Sequence, residues 1–495
     1  MPAAVRRGLG QWIMLHKTFR PYDQHTLLLM PPSLSDWVAD DGLVAYLNDL
    51  VDELDLSPLL AVHEEPRGKP PYHPALMLKV LLYGYASGVR SSRKLEQRLA
   101  ADVNFMFLAG QARPDHKTIS EFRRRHLAAF SALFIEVLAL CQKAGLVKLG
   151  RVALDGTKLR ANASKHKAMS YGRMLKAEAQ LQAEVVAILD EAEAVDAAED
   201  AQFGDARGDE LPPELAHRET RLARIREAKA ALEAEARERT GNPDAVPTPK
   251  AQRNFSDPES RIMRSQSEGF VQGWNAQAAV DEAHQIVVAC DLNADATDTR
   301  ALPDLVDQIE RNTGRRPKRL LADAGYYSDA NLDHLESAAI EPFIATRRSK
   351  HSEPRPSAPR GRIPQHLTRR ERMARKLATK AGAAHYRRRK SIVEPVFGQI
   401  KECRGFRRVS LRGEANARAE WLLISLVHNL GKLFNSGRSD WVLTGRRSVR
   451  TSVERHGSMN RLAMPISTLI SLRDRLFSPP PPRRRLTQRL IDAAS

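Results

Sequence analysis

Val152-Ala153-Leu154-Asp155-Gly156 is the stretch on which the fold turns: three apolar residues in a row, closed by an Asp-Gly pair, are a strand and turn signal. Everything upstream has a different texture. Residues 43–54, 76–85, 92–100 and 119–144 carry apolar side chains at three- and four-residue spacing, which predicts several short helices rather than a sheet. Thr118 followed by Glu121 resembles a capping box opening the last of them. Residues 14–145 are therefore expected to form an all-α N-terminal domain, with the first 13 residues as an upstream extension.

Downstream of Gly156 two segments, 167–198 and 213–239, are rich in Ala, Glu, Leu, Lys and Arg, separated by a Gly- and Pro-containing acidic break. That composition predicts two long helices in an antiparallel hairpin within residues 165–245. By itself it reads as a solvated arm without chemistry. Strand signals return at 269–280 and 285–291, a helix is expected at 298–311, and short buried strands at 319–322 and 342–345. Helical regions follow at 371–404 and 415–434. The order implies a mixed α/β domain over 146–435, interrupted by an α-helical insertion. Residues 347–370, rich in Arg, Pro and Ser, are either a DNA-facing connection or a basic loop without a partner. The basic tail, 436–495, ends with four prolines and three arginines in 478–485 and is assigned no fold.

The formal net charge of +18 attracts polyanions, nucleic acid first among them, and arginines stand in runs at 123–125 and 387–389. The bland alternative is a basic protein kept soluble by its charge. Cys141, Cys290 and Cys403 are too far apart in sequence for a zinc knuckle or redox pair, which fits a reducing cytoplasm. Apolar stretches such as 76–85 and 421–430 are too short to span a bilayer, and residues 1–14 hold no signal-peptide core.

Three acids stand at informative places: Asp155 and Asp323 after short apolar strands, and Glu394 in a late helical region. Carboxylates at strand ends can converge across neighbouring strands, and a three-carboxylate site leaves positions on two Mg²⁺ ions for water and phosphate oxygens. Singly, each has an ordinary reading, a turn Asp or a solvated helical Glu. The surrounding text changes this. Asp155-Gly156-Thr157-Lys158-Leu159 with Ala161-Asn162-Ala163, Ala322-Asp323-Ala324-Gly325-Tyr326, and Val393-Glu394-Pro395-Val396-Phe397-Gly398 resemble, in order, the three signature regions of bacterial insertion-sequence DDE transposases. Asp257-Pro258-Glu259-Ser260-Arg261, Gly273-Trp274-Asn275-Ala276-Gln277 and Pro114-Asp115-His116-Lys117-Thr118-Ile119-Ser120 extend the resemblance over residues 14–435.

The resemblance implies an RNase H-like catalytic core with Asp155, Asp323 and Glu394 as the metal-holding triad. It implies two Mg²⁺ ions, with Mn²⁺ able to substitute. The DNA partners would be the element's terminal inverted repeats and a target, engaged by a homodimer in the bacterial cytoplasm, associated with the nucleoid. DNA contacts are expected from Lys158, Arg388, Arg389, Lys390 and Lys401. The family pattern has an arginine four residues before the Glu and a lysine seven after; Lys401 matches, whereas position 390 holds Lys. Bidentate phosphate recognition at 390 is therefore lost. Pro395 either opens a helix, leaving Glu394 as its cap and Lys390 outside, or kinks a helix that runs through it. Trp274 is expected in the core, and His73, His116 and His126 carry no catalytic role. Two alternatives stay open: an RNase H-like nuclease that only hydrolyses, and a DNA-binding relic of a transposase.

Overall fold

Helical spacing upstream of residue 145 becomes seven helices in the computed structural model: α1 (Leu43–Glu53), α2 (Ser57–Leu60), α3 (Pro74–Ala86), α4 (Ser92–Ala101), α5 (Val103–Leu108), α6 (His116–Arg125) and α7 (Leu127–Lys143). The residues described are 4–7, 11–14, 33–62, 71–164, 167–203, 213–265, 269–295, 297–347, 358–364 and 366–437. A short antiparallel ribbon, β1 (Ala4–Arg7) with β2 (Gln11–Met14), precedes the helices. The run expected as one helix over 119–144 is broken, because α6 and α7 meet at His126 with a bend of 71°. Its start is also corrected. Asp115 is the cap, accepting from the Thr118 N–H at 2.7 Å, and Thr118 is already inside the helix with helical neighbours on both sides.

The expected turn at Asp155-Gly156 is likewise absent. Both residues lie within β3 (Arg151–Arg160), where Gly156 pairs with Gln277. The insertion follows: β4 (Ala168–Ser170), α8 (Tyr171–Phe203), α9 (Pro213–Thr240) and β5 (Gln252–Asn254). β4 and β5 pair antiparallel at its base. The two long helices bury a seam of Tyr171, Met174, Leu181, Leu222, Ile225 and Leu232, and Glu178 on one helix takes Arg226 at 3.0 Å and Lys229 at 2.7 Å from the other.

Then come β6 (Arg261–Ser265), β7 (Gly269–Asp281), β8 (Val287–Asn293), α10 (Ala301–Thr313), β9 (Arg319–Ala322), α11 (Asp329–Ser337), β10 (Glu341–Ile344), α12 (Arg369–Ala378), α13 (Lys380–Gly398) and α14 (Glu414–Asn435). The sheet order is β10-β9-β3-β7, with β6 and β8 along successive parts of the far edge of β7. β3, β9 and β10 are parallel; β7 is antiparallel to β3, β6 and β8. A central strand flanked on one side by an antiparallel meander, β7 then β8, and on the other by two parallel strands is the RNase H-like arrangement. It is preceded by the helical region and interrupted by the helical insertion.

The helical region expected over 371–404 is two helices, split at Thr379, whose hydroxyl caps α13. α13 runs through Pro395 and widens into a π-helical turn, Gln399–Cys403, so Lys390 and Glu394 share one helix. α14 is buried on several sides, against β8, α3 and α7, which explains its long apolar run. Its Glu420 accepts from the Tyr85 hydroxyl at 3.0 Å, and Arg123 donates to the same hydroxyl at 3.0 Å. The N-terminal helices are thus tied to the sheet region by a buried polar chain. Among the described residues no single helix is long and apolar enough to cross a membrane. Residues 348–357 and 365 of the Arg- and Pro-rich connection over 347–370, and nearly all of the tail after 435, fall outside the described residues.

Candidate active site

β9 pairs with β3 through Val152↔Leu320 and Ala153↔Leu321, then ends at Ala322. Carrying this register two residues further sets Asp155 abreast of Asp323. Neighbouring strands run about 4.8 Å apart, and a crevice opens where parallel strands end. Asp323 caps a 3₁₀ turn, Ala324–Tyr326, its Oδ1 accepting from the Gly325 N–H at 2.8 Å. Asp155 Oδ1 accepts from the Gly156 N–H at 2.9 Å, and its Oδ2 from Arg389 Nη1 at 2.7 Å.

Arg389 arrives on α13. Gly382, Arg389, Val393 and Val396 are buried on this helix at three- and four-residue spacing, so Arg389 is turned inward and only 11% of its side chain is exposed. Tyr386, one turn earlier, lies against it. Burial pushes the Asp155 carboxyl up to about 6; Arg389 pulls down and the neighbouring Asp323 pushes up again. The guanidinium therefore neutralises one member of an acid pair that burial and mutual repulsion both disfavour. Hard oxygen ligands under that penalty are the donor set and the electrostatics that suit Mg²⁺ or Mn²⁺. As they stand, no three Asp, Glu, His or Cys side chains among the described residues are close enough to hold a metal. Glu394 is exposed, on the turn of α13 that follows Arg389.

The remaining expected contacts divide. Lys390 is exposed, and Arg388 is exposed and pairs with Glu282 at 3.1 Å. Lys401 Nζ donates to the Lys158 carbonyl at 2.9 Å, which fastens the π turn to β3. Lys158 Nζ lies 3.8 Å from Asp298, and burial lowers its pKa against the pull of Asp298 and Asp323. Trp274 is fully buried, as expected. Of the three histidines, His73 caps α3, His116 pairs with Glu96 at 2.8 Å and His126 packs on Phe122.

Four residues to which sequence reasoning gave no role in the site line the same crevice. Asp298 Oδ1 accepts from Asn275 Nδ2 and Gln277 Nε2, both at 2.7 Å, and the buried Tyr326 hydroxyl donates to Gln277 Oε1. Burial raises the Tyr326 pKa well above its usual value, and the negative charges of Asp298, Asp155 and Asp323 add to it. A signal existed: Asn275 and Gln277 are two amides at strand spacing on one face of β7, set among Trp274, Ala276, Ala278 and Ala279. At the far end of β3 a basic cleft of about 520 Å³ is lined by Arg160, Lys167, Arg408, Arg412, the amide of Gln272 and the exposed ring of Phe270.

Neither a curated protein nor a solved structure matches the chain. Two families do. Residues 32–125, α1 to α6, match the Transposase domain (DUF772), and residues 245–430 match the Transposase DDE domain. The second match holds Asp298, Asp323 and Glu394, while Asp155 lies between the matches and is brought to Asp323 by the strand register. A helical transposase domain followed by a DDE domain on an RNase H-like sheet means that the chain belongs to the insertion-sequence DDE transposases.

Proposed function

We propose that the protein binds the terminal inverted repeats of its own element, cleaves phosphodiester bonds at the element ends and joins the freed 3′-hydroxyls to target DNA. The observation that carries this is Asp155, in the middle of β3, standing beside Asp323 where the parallel strand β9 ends, on a strongly basic chain. Asp155, Asp323 and Glu394 are assigned as the ligands of two Mg²⁺ ions. Such ions, when bound, lower the cost of forming the attacking oxygen and stabilise the leaving one.

The chain's own groups do the rest. Arg389 holds Asp155 in one rotamer and balances its charge until a cation takes over that task. Lys158 keeps a positive charge over the crevice, where a scissile phosphate would bring its own negative charges. The exposed Arg388 and Lys390, either side of Arg389 on α13, meet the DNA backbone, and Lys401 holds the turn that follows Glu394 against β3. Two element ends must be processed together, which a dimer on DNA would do.

Asp323→Asn tests the assignment, because the amide preserves shape and removes a metal-ligand charge, whereas DNA affinity rests on many phosphate contacts. Cleavage and strand transfer of a duplex carrying the element end should be lost, with binding within about twofold of wild type. Wild-type cleavage by this variant in Mg²⁺ would overturn the triad.

A further inference from the structure

Gly156 and Gly325 flank the two aspartates, one directly after Asp155 and the other two residues after Asp323. Neither has a positive φ, so neither is required by its backbone. Space explains both. A Cβ on Gly156 would lie 2.8 Å from Asp298 Oδ1, 2.6 Å from Gln277 Nε2 and 3.0 Å from Asn275 Oδ1. A Cβ on Gly325 would lie 3.0 Å from Asp298 Oδ2 and equally 3.0 Å from Asp323 Oδ1. Each glycine therefore leaves room beside the same third carboxylate.

Asp298 sits just before α10, its carbonyl accepting from the Ala301 N–H at 3.1 Å. Its side chain turns back over the sheet. Oδ1 is fixed by the two amides of β7, with Lys158 at 3.8 Å; Oδ2 faces Asp323 across the bare Gly325. Those two oxygens, sharing a 3.0 Å contact point, are at most about 6 Å apart. One ion with ligands at about 2.0–2.1 Å holds two oxygens up to about 4 Å apart, a separation within that bound. A further oxygen points the same way: Asn275 Oδ1 is fully buried beside Asp298 and has no hydrogen-bond donor. An orphaned amide oxygen next to a carboxylate is a costly pair unless positive charge comes near.

We propose that Asp298 is a fourth carboxylate of the catalytic centre, sharing a divalent cation with Asp323 through Oδ2 while Asn275 and Gln277 hold its other oxygen. This rests on the DDE reading above. The test is calorimetric titration of Mn²⁺ into the full-length, DNA-free protein, comparing wild type with Asp298→Asn, Asp323→Asn and Gly325→Ala. Asp298→Asn keeps an oxygen for the two β7 amides, and thermal unfolding checks that each variant is folded. Both acid variants should weaken Mn²⁺ binding at least tenfold. Gly325→Ala, with every carboxylate intact, should weaken it as well, because its methyl group enters the gap. If Asp323→Asn weakens binding and Asp298→Asn does not, the fourth carboxylate is refuted and the DDE reading stands. If Gly325→Ala binds as wild type, the gap between Oδ2 and Asp323 is not the ion's place and the proposal fails. If neither acid variant changes Mn²⁺ binding, the DDE assignment fails with it.

Discussion

Arg389, not Lys390, is the basic residue that answers Asp155, and one position along a helix decides it. The inward face of α13 follows 382, 389, 393 and 396, so residue 390 looks to solvent. Replacing Arg389 by Met leaves Asp155 buried beside Asp323 without its cation. A buried pair broken on one side costs up to about 3–5 kcal/mol, and the residual exposure of both groups brings this to roughly 1–3. Urea unfolding at pH 7 should show that loss for Arg389→Met and recover much of it in the double variant with Asp155→Asn, since the stranded charge is gone. A double variant no more stable than the single one would mean that the two side chains are not coupled. The glycines carry a related lesson. An Asp-Gly pair is a turn signal by propensity, yet Gly156 is a strand residue kept small by the Asp298 side chain, a partner more than a hundred positions away that local sequence does not reveal.

Elements with a strong local apolar pattern were legible, and those shaped by distant partners were not. β9 was read to the residue and α14 to within one at each end, because short buried runs and helical spacing are local patterns. β6 has Arg261 and Arg264 on either side of Ile262 and Met263 and gave no alternation, and the break between α6 and α7 depends on how α7 packs against α14. Pro395 left two possibilities open, and the structure chooses the continuous helix with a π turn four residues later. α14 adds a consequence for pH. His428 is fully buried, gives its Nε2 proton to the Gln285 carbonyl at 2.9 Å, and has no partner for Nδ1. Burial lowers its pKa to about 3, the Gln285 carbonyl opposes this, and Arg404 and Lys432 add to it. The unfolded chain takes up a proton near pH 6.5 and the folded one does not, so this contribution is intact above that pH and shrinks as the pH falls toward 3. Between pH 7 and 5 it should cost about 2 kcal/mol. His428→Gln keeps a donor for Gln285 and should flatten this part of the stability profile, measured by chemical unfolding at pH 7 and pH 5. An unchanged acid loss would place the sensitivity elsewhere.

At the scale of the whole molecule, a net charge of +18 fixes the partner's sign but not its path. The path follows from β3, which carries Asp155 near its middle and Arg160 at its end, where the basic cleft lies. Five residues of strand are about 16 Å, the rise of about five base pairs, so DNA with its scissile phosphate at Asp155 reaches the cleft within half a turn. Arg408 and Arg412, both exposed, are the cleft's outer charges. Each neutralised phosphate contributes about 0.9 to the slope of log K against log salt concentration. The double variant Arg408→Gln, Arg412→Gln should therefore bind element-end DNA with a slope shallower by about 1.8 per protein chain, and should weaken binding to unrelated duplex in the same way. Because exposed substitutions of this kind shift stability by no more than about 0.5 kcal/mol, its unfolding midpoint should stay near wild type. Fluorescence anisotropy across a salt series reads the slope directly. A slope equal to the wild type's would show that DNA leaves the catalytic crevice by another face, and Phe270 and Gln272 would then have no part in holding it.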